Sequence, residues 1–411
     1  MNPGAWLTVA PLNAVTAARQ NRTAVLETVQ RAGSVARPNL VEVTGLTPGT
    51  ISNVVRDLIE LRLVRATGEV APRRKAMAGA PSPMLALDGS WHRVLSVHQG
   101  VSRILIGGHD LEGRVLASKE LPAVRGETPD DVITRVAGAL RKLIADEGWS
   151  GRQVRGIGVG AVGLVDPETG GIRAAPNIGW VEVPLRERLE ASLDWPVAVR
   201  NNVHAMAIGE CRFAGVPERQ AVYVYVGTGI GSGIIADSQV QRGAHGAAGE
   251  LGHLLVPGGA RCSCGKTGCL ETVAAEPAIA RRAEIQGPPK AAVAQVVQRA
   301  AEGDETARTL LREVGESLGL AMSQVTEILD PGAIVVNGIV AEAGEGFLRP
   351  LAESLRRNTF AARGRQVDVR AASFGRQAGM IGAAALALET FVYNPRSELF
   401  AERAGRSAWE S

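Results

Sequence analysis

The sequence predicts an α/β protein in two parts: a small N-terminal winged helix-turn-helix over residues 19–70, then a larger unit of two α/β lobes over residues 89–390. Three observations predict it. A helix-turn-helix pattern opens the chain, apolar runs alternate with amphipathic helices from Leu87 onward, and three of the four cysteines fall within eight positions near a histidine. At 411 residues, 45% apolar and 21% charged, the chain is too long for one ordinary domain and can bury more than one core.

Residues 1–18 show no periodic pattern and are expected to form a tail. From Arg19 to Arg31, Val25, Leu26 and Val29 recur at helical spacing, with Gly33 as the stop. A second helix over Pro38–Thr44 turns through Gly45 and Leu46 into a third, where Thr47 is the N-cap and Pro48 the first helical residue. Ile51, Val54, Val55 and Leu58 form its inner stripe, which leaves Thr50, Ser52, Asn53 and Arg56 outward. Such side chains hold donors and acceptors for base edges and phosphates, so Thr47, Thr50, Ser52, Asn53 and Arg56 are candidate contacts to double-stranded DNA. The rival reading is an ordinary solvated helix face. Leu61–Glu69 reads as a strand and turn, and residues 71–88 as the end of a wing and a linker. There Arg73, Arg74 and Lys75 either reach a phosphate or a narrow minor groove, or are simply solvated. Residues 1–88 hold ten Lys/Arg against six Asp/Glu, a charge of +4 that contrasts with −1 over the remainder.

In the larger unit the apolar runs Arg93–Ile106, Val115–Leu121 and Val154–Ala161, with a helix over Pro129–Ile144, make a first lobe. Ala221–Val226, a helix over Glu313–Leu329, Ala333–Val336 and a closing helix over Gly379–Leu388 repeat the theme. A cleft between two such lobes is a natural ligand site. The glycine-rich run Gly227–Gly233 after a buried strand either admits a phosphate or sugar to its backbone or only makes a tight hairpin. Residues 391–411 lack periodicity and are expected to form a second tail.

The cysteine cluster carries the most specific chemistry. Zn²⁺ takes about four N or S ligands in a tetrahedron, and His253, Cys262, Cys264 and Cys269 supply that set with no position left open, as in a structural site. Buried thiols, or a disulfide with one thiol left over, are the alternatives. Cys211 lies apart and reads as a small buried apolar residue. So few cysteines outside the cluster fit a reducing compartment, and without an apolar stretch of about 18 residues or a leader, the chain is expected to be cytoplasmic and free of membrane.

Taken in order, the N-terminal winged helix, Gly227-Thr228-Gly229-Ile230-Gly231, Glu250-Leu251-Gly252-His253 and Cys262-x-Cys264-Gly-Lys-x-Gly-Cys269-Leu-Glu271 resemble the ROK family of repressors and sugar kinases. The match spans about residues 19–390, and the head makes the chain similar to the family's xylose and N-acetylglucosamine repressors. The resemblance implies an actin-like or hexokinase-like fold. It also implies a sugar pocket lined by Asn177, Asn201, Asn202, Glu250, His253 and Glu271, whose amides and carboxylates can grip vicinal hydroxyls.

The chain departs from the family's kinases where chemistry is done. Their Asn-Asp pair, whose Asp takes the proton from the sugar hydroxyl, is Asn201-Asn202 here, and an amide cannot accept that proton. Their Asp-x-Gly-Gly-Thr phosphate loop reads His98-Gln99-Gly100-Val101-Ser102, and a Gly-Gly pair reads Asn337-Gly338. The expectation is therefore a sugar-responsive transcriptional regulator without enzymatic activity. It would bind a palindromic operator as a homodimer or homotetramer. An active ROK sugar kinase with a DNA-binding head, or a regulator that senses no free sugar, are the alternatives.

Overall fold

The structure, a computed structural model, describes residues 14–70, 82–124, 126–215, 218–360 and 366–400. The N-terminal unit runs α1 (Ala14–Ala32), β1 (Val35–Ala36), α2 (Arg37–Thr44), α3 (Pro48–Glu60), β2 (Val64–Val70) and β3 (Pro83–Leu87). α1 already covers residues 14–18, inside the stretch expected to be a tail. Gly45, at a φ of 68°, ends α2 by donating to the Val41 carbonyl, a left-handed position that suits glycine. Thr47 then caps α3, its hydroxyl accepting the Thr50 N–H at 3.2 Å. Ile51, Val55 and Leu58 are wholly buried, and a 2.7 Å Arg22–Asp57 ion pair ties α1 to α3.

β3 is a correction. It falls in the stretch expected to be a linker, yet it is the central strand of an antiparallel sheet, ordered β1-β3-β2. Leu85, Ala86 and Leu87 are buried there, so the apolar end of that stretch belongs to the head's core. Arg73, Arg74 and Lys75 lie outside the described residues.

The first lobe holds β4 (Arg93–Gln99), β5 (Arg103–His109), β6 (Val115–Pro122), α4 (Pro129–Asp146) and β7 (Val154–Ala161). A small antiparallel sheet of β8 (Leu164–Val165), β9 (Ile172–Ala175) and β10 (Trp180–Val183) follows, then α5 (Leu185–Ser192), β11 (Val197–Asn201) and α6 (Asn202–Phe213). The apolar run Arg93–Ile106 is thus two strands with a turn at Gly100, not one. The second lobe holds β12 (Ala221–Val226), β13 (Ile230–Ala236), β14 (Gln239–Val240), α7 (Glu271–Ala274), α8 (Glu276–Arg282), α9 (Pro289–Ala301) and α10 (Glu305–Leu329). It closes with β15 (Ala333–Asn337), α11 (Glu345–Asn358), β16 (Asp368–Ala371) and α12 (Ala378–Phe391).

The two main sheets share one topology. β6-β5-β4-β7-β11 and β14-β13-β12-β15-β16 each join an antiparallel meander to two parallel strands. α6 and α12 lie between them, packed so closely that a Cβ on Gly209 would meet Gly382 at 2.9 Å and one on Gly158 would meet the Ala383 carbonyl at 1.9 Å. No helix among the described residues is long and apolar enough to cross a membrane.

The chain after α12 is a second correction. Val392, Tyr393, Leu399 and Phe400 lie in the stretch expected to be a tail, but they are buried in one apolar cluster with α1, α3 and β3 of the head. Tyr393 also donates its hydroxyl to the Leu111 carbonyl at 3.0 Å. Irregular spacing hid these residues, because the surface they cover comes from distant parts of the chain. Phe400→Ala is expected to destabilise the protein by about 3 kcal/mol in chemical denaturation; a change under about 0.5 kcal/mol would show that this segment only lies on the surface.

Candidate functional site

A cleft of about 750 Å³ opens between the lobes. It brings together all six residues singled out as sugar candidates: Asn177, Asn201 and Asn202 from the first lobe, Glu250, His253 and Glu271 from the second. Their roles in the fold differ. Asn201 is spoken for, because its Oδ1 accepts the Val203 and His204 N–H groups to cap α6 and its Nδ2 donates to the Gly163 carbonyl. Asn202 begins α6, and its amide has no hydrogen-bond partner among the described residues. Asn177, on the turn before β10, is exposed.

On the opposite wall, Glu271 starts α7 and its Oε1 accepts the Ile230 N–H at 2.8 Å. The β12–β13 connection at 227–229 is a tight hairpin, and a Cβ on Gly229 would meet that carboxylate at 2.6 Å, so glycine is what admits Glu271. Partial burial, with the neighbouring Glu271 charge behind it, holds the Glu250 carboxyl above its ordinary value, and His253 opposes the rise.

His253 joins this wall to the cysteine cluster. Its ligating atom and those of Cys262, Cys264 and Cys269 all lie within 4.8 Å of one another, with Cys262 Sγ 3.7 Å from His253 Nδ1 and Cys264 Sγ 3.6 Å from Cys269 Sγ. A tetrahedron with bonds of about 2.0–2.3 Å has edges of about 3.3–3.8 Å; these two pairs match it, and the wider ones need close by no more than about 1 Å for the set to hold one metal ion. The intervening loop folds into a knuckle, in which Cys262 N–H donates to the Lys266 carbonyl at 2.8 Å and Gly265 takes a φ of 91°. The Lys266 N–H in turn holds the Cys264 thiol below its usual range, favouring the thiolate a metal needs. With Nδ1 turned to the sulfurs, His253 Nε2 faces the cleft, 4.0 Å from a Glu250 oxygen. Cys211 lies apart on α6, and burial pushes its thiol up to about 12.

At the end of β4, burial, with the charges of Arg103 and Lys290, drives the His98 imidazole down to about 4. Val101 packs against the first-lobe core, and Asn337 is consumed by bonds to the Tyr223 hydroxyl, the Gly375 carbonyl and the Gly338 N–H. Sequence reasoning missed Glu276 and Lys290, which also line the cleft. Glu276 was findable as a lone acid in the apolar run Val273–Ala280. Its carboxyl is buried and is pushed up to about 6 by that burial, against the pull of Lys290.

Comparison with known proteins fits this geometry. The ROK family profile matches residues 94–390, which is most of the chain. The chain belongs to the ROK family. A glucokinase of Streptomyces coelicolor is 33% identical over 315 residues, covering 72% of this chain and 97% of its own length. The xylose repressor of Caldicellulosiruptor bescii is 26% identical over 390 residues, covering 91% of this chain and 97% of its own. A solved ROK family transcriptional regulator, a homologue of the Escherichia coli Mlc protein, superposes with a TM-score of 0.77 at 25% identity, covering 94% of this chain and 99% of its own. The ROK lobes are thus shared by kinases and repressors, and the repressor-type relatives match the head as well.

The Glu276 shift makes a testable statement about pH. Because its folded value of about 6 lies above the ordinary 4.5, the unfolded chain loses this proton first. Stability is therefore full below about pH 4.5, falls as pH rises to about 6, and stays lower above it. Glu276→Gln is expected to be more stable than the wild type by about 2 kcal/mol at pH 8 and equal to it at pH 4.5 in urea unfolding. An advantage that does not change with pH would show that the charge is not what the fold opposes.

Proposed function

We propose that this protein is a sugar-responsive, DNA-binding transcriptional regulator of carbohydrate-use genes, with repression as its mode. One observation supports the reading most: Asn202, where the family kinases' base is expected, lines one cleft with Asn177, Glu250, His253 and Glu271. An amide can bind a hydroxyl but cannot take its proton, and loss of a positioned base forfeits about 10²- to 10⁴-fold in rate. His98 in the phosphate loop removes a second requirement, a carboxylate for the nucleotide's metal.

The three helices and three-stranded sheet of the head read as a winged helix-turn-helix. α3 is its recognition helix. Thr47, Ser52, Asn53 and Arg56 are exposed there and Thr50 partly so, while Arg56 pairs at 3.7 Å with Asp57 and at 3.9 Å with Glu60, long surface contacts that a phosphate would replace. One such head reads a half-site, so the working form is a homodimer or homotetramer on a palindromic operator. Zinc is the metal suited to the His253, Cys262, Cys264 and Cys269 set, where it would hold the knuckle shut and fix the His253 ring. In the cleft, Asn177, Asn202, Glu250, His253 and Glu271 would bind the sugar hydroxyls, with Asn201 setting the position of Asn202.

The 33% identity to glucokinases keeps kinase activity as the second reading. A coupled assay with ATP and either glucose or xylose separates the two: no turnover above background is expected, and steady phosphorylation would reverse the ranking. For the head, selection from random duplex DNA is expected to yield one palindrome, and Arg56→Ala to weaken it about tenfold with a shallower salt dependence. Recovery of no preferred sequence would refute the DNA reading. For the metal, elemental analysis is expected to give about one zinc per chain, and Cys264→Ser to lose it and destabilise the second lobe.

A further inference from the structure

Two helices border both the cleft and a second large cavity: α12, through Gly379 and Glu389, and α6. The first turn of α6 lines the cleft through Asn202, Val203 and His204. Its last turn, through Cys211, Arg212 and Phe213, lines the second cavity, of about 850 Å³, at the seam with the head. Its twelve residues make a rod of about 18 Å.

The far end is fastened to α1 of the head. Gln30 Nε2 donates to the Arg212 carbonyl at 3.3 Å, and the Arg212 guanidinium donates to Gln30 Oε1 at 3.4 Å and lies 4.0 Å from Glu27. The same guanidinium sits 4.3 Å over the Tyr393 ring, inside the segment that seals the head's core. The near end is fastened to the cleft wall, where a ring nitrogen of His204 pairs with the Ala248 carbonyl at 2.8 Å, two residues before Glu250. Between the ends α6 rests on glycines. A Cβ on Gly231 would meet Val203 at 2.8 Å, and one on Gly233 would meet Ala207 at 2.4 Å. Flat contacts of this kind oppose axial sliding less than interlocked side chains do. The cavity beside Arg212 also leaves α1 room to follow.

We propose that α6 carries occupancy of the cleft to the head as a rigid rod, with Arg212 the positioning residue at its far end. This rests on reading the cleft as a sugar site. A hydroxyl held by Asn202 bears on the first turn, the helix moves as a unit, and Gln30 and Glu27 move with Arg212. α1 then passes the shift to α3 through the Arg22–Asp57 ion pair.

Hydrogen exchange on the full chain, with and without saturating glucose or xylose, tests this. In the wild type, sugar is expected to change exchange in the Glu250–Glu271 loop and also in α1, the latter by at least about fivefold. In Arg212→Ala, and independently in Gln30→Ala, the loop is expected to respond fully and α1 by less than about twofold. An undiminished α1 response in both variants would overturn the proposal. If neither sugar alters the loop, the choice of these sugars as effectors fails, and a ligand-free arm still decides the rod. Gly209→Ala sets a methyl 2.9 Å from Gly382 and so displaces α6. It is expected to alter α1 exchange in the wild-type background but not with Arg212→Ala, whereas equal effects in both, or none in either, refute the coupling.

Discussion

Backbone contact between α6 and α12 is the constraint on which the architecture rests. A Cβ on Gly382 would meet the Ala205 carbonyl at 2.4 Å, and Gly209 answers it from the other side, so a side chain at either position would force the two helices apart. Because these two helices are the filling between two sheets of the same topology, their spacing sets the distance between the lobes. It also fixes where α6 begins, and that is at Asn202 on the floor of the cleft. Large side chains at the crossing would move the sheets apart and open the site they enclose.

The opposite wall has little regular structure, and it is held by other means. Between His253 and Glu271 the backbone forms turns and two isolated bridges, Leu255 with Cys269 and Arg261 with Thr267. A segment so poor in ladder hydrogen bonds has few interactions of its own to resist opening. A metal ion held by the four candidate ligand atoms would supply that resistance. Since one of them belongs to His253, an ion that closed the knuckle would also orient a ring that faces the cleft.

The parts of this molecule legible in the sequence were those written in local signals. Thr47-Pro48 marked the start of α3 because a cap and a missing N–H act within one turn, and the cysteine spacing marked the cluster because a loop that short brings its ends together. What stayed hidden depends on distant partners. β3 reads as linker until β1 and β2 flank it, and Tyr393, Leu399 and Phe400 read as tail until the head offers them a surface. In the cleft the same division holds: Glu271 was visible beside a cysteine motif, while Lys290 and Arg103 draw meaning only from a cavity built by separate lobes. Asn201 shows the converse: its motif marked it for ligand, and the structure adds a second role, in which its Oδ1 caps α6 and one Nδ2 hydrogen holds the Gly163 carbonyl.

That second role clarifies what the Asn201-Asn202 pair retains. The first amide preserves the helix start, and therefore the place of its neighbour, whatever that neighbour is. Substituting an amide for a carboxylate at the second position changes charge and proton affinity but hardly alters size or reach. Shape recognition and proton removal are thus separable at one residue: the cleft can keep its contacts to hydroxyls while losing the base that would act on them. Under the proposed reading the energy of binding has no bond-making step to serve, and it remains available for the rigid elements that meet in the cleft. Of these, α6 meets the head through polar side-chain bonds, between Arg212 and Gln30, while α12 meets it through the shared apolar cluster.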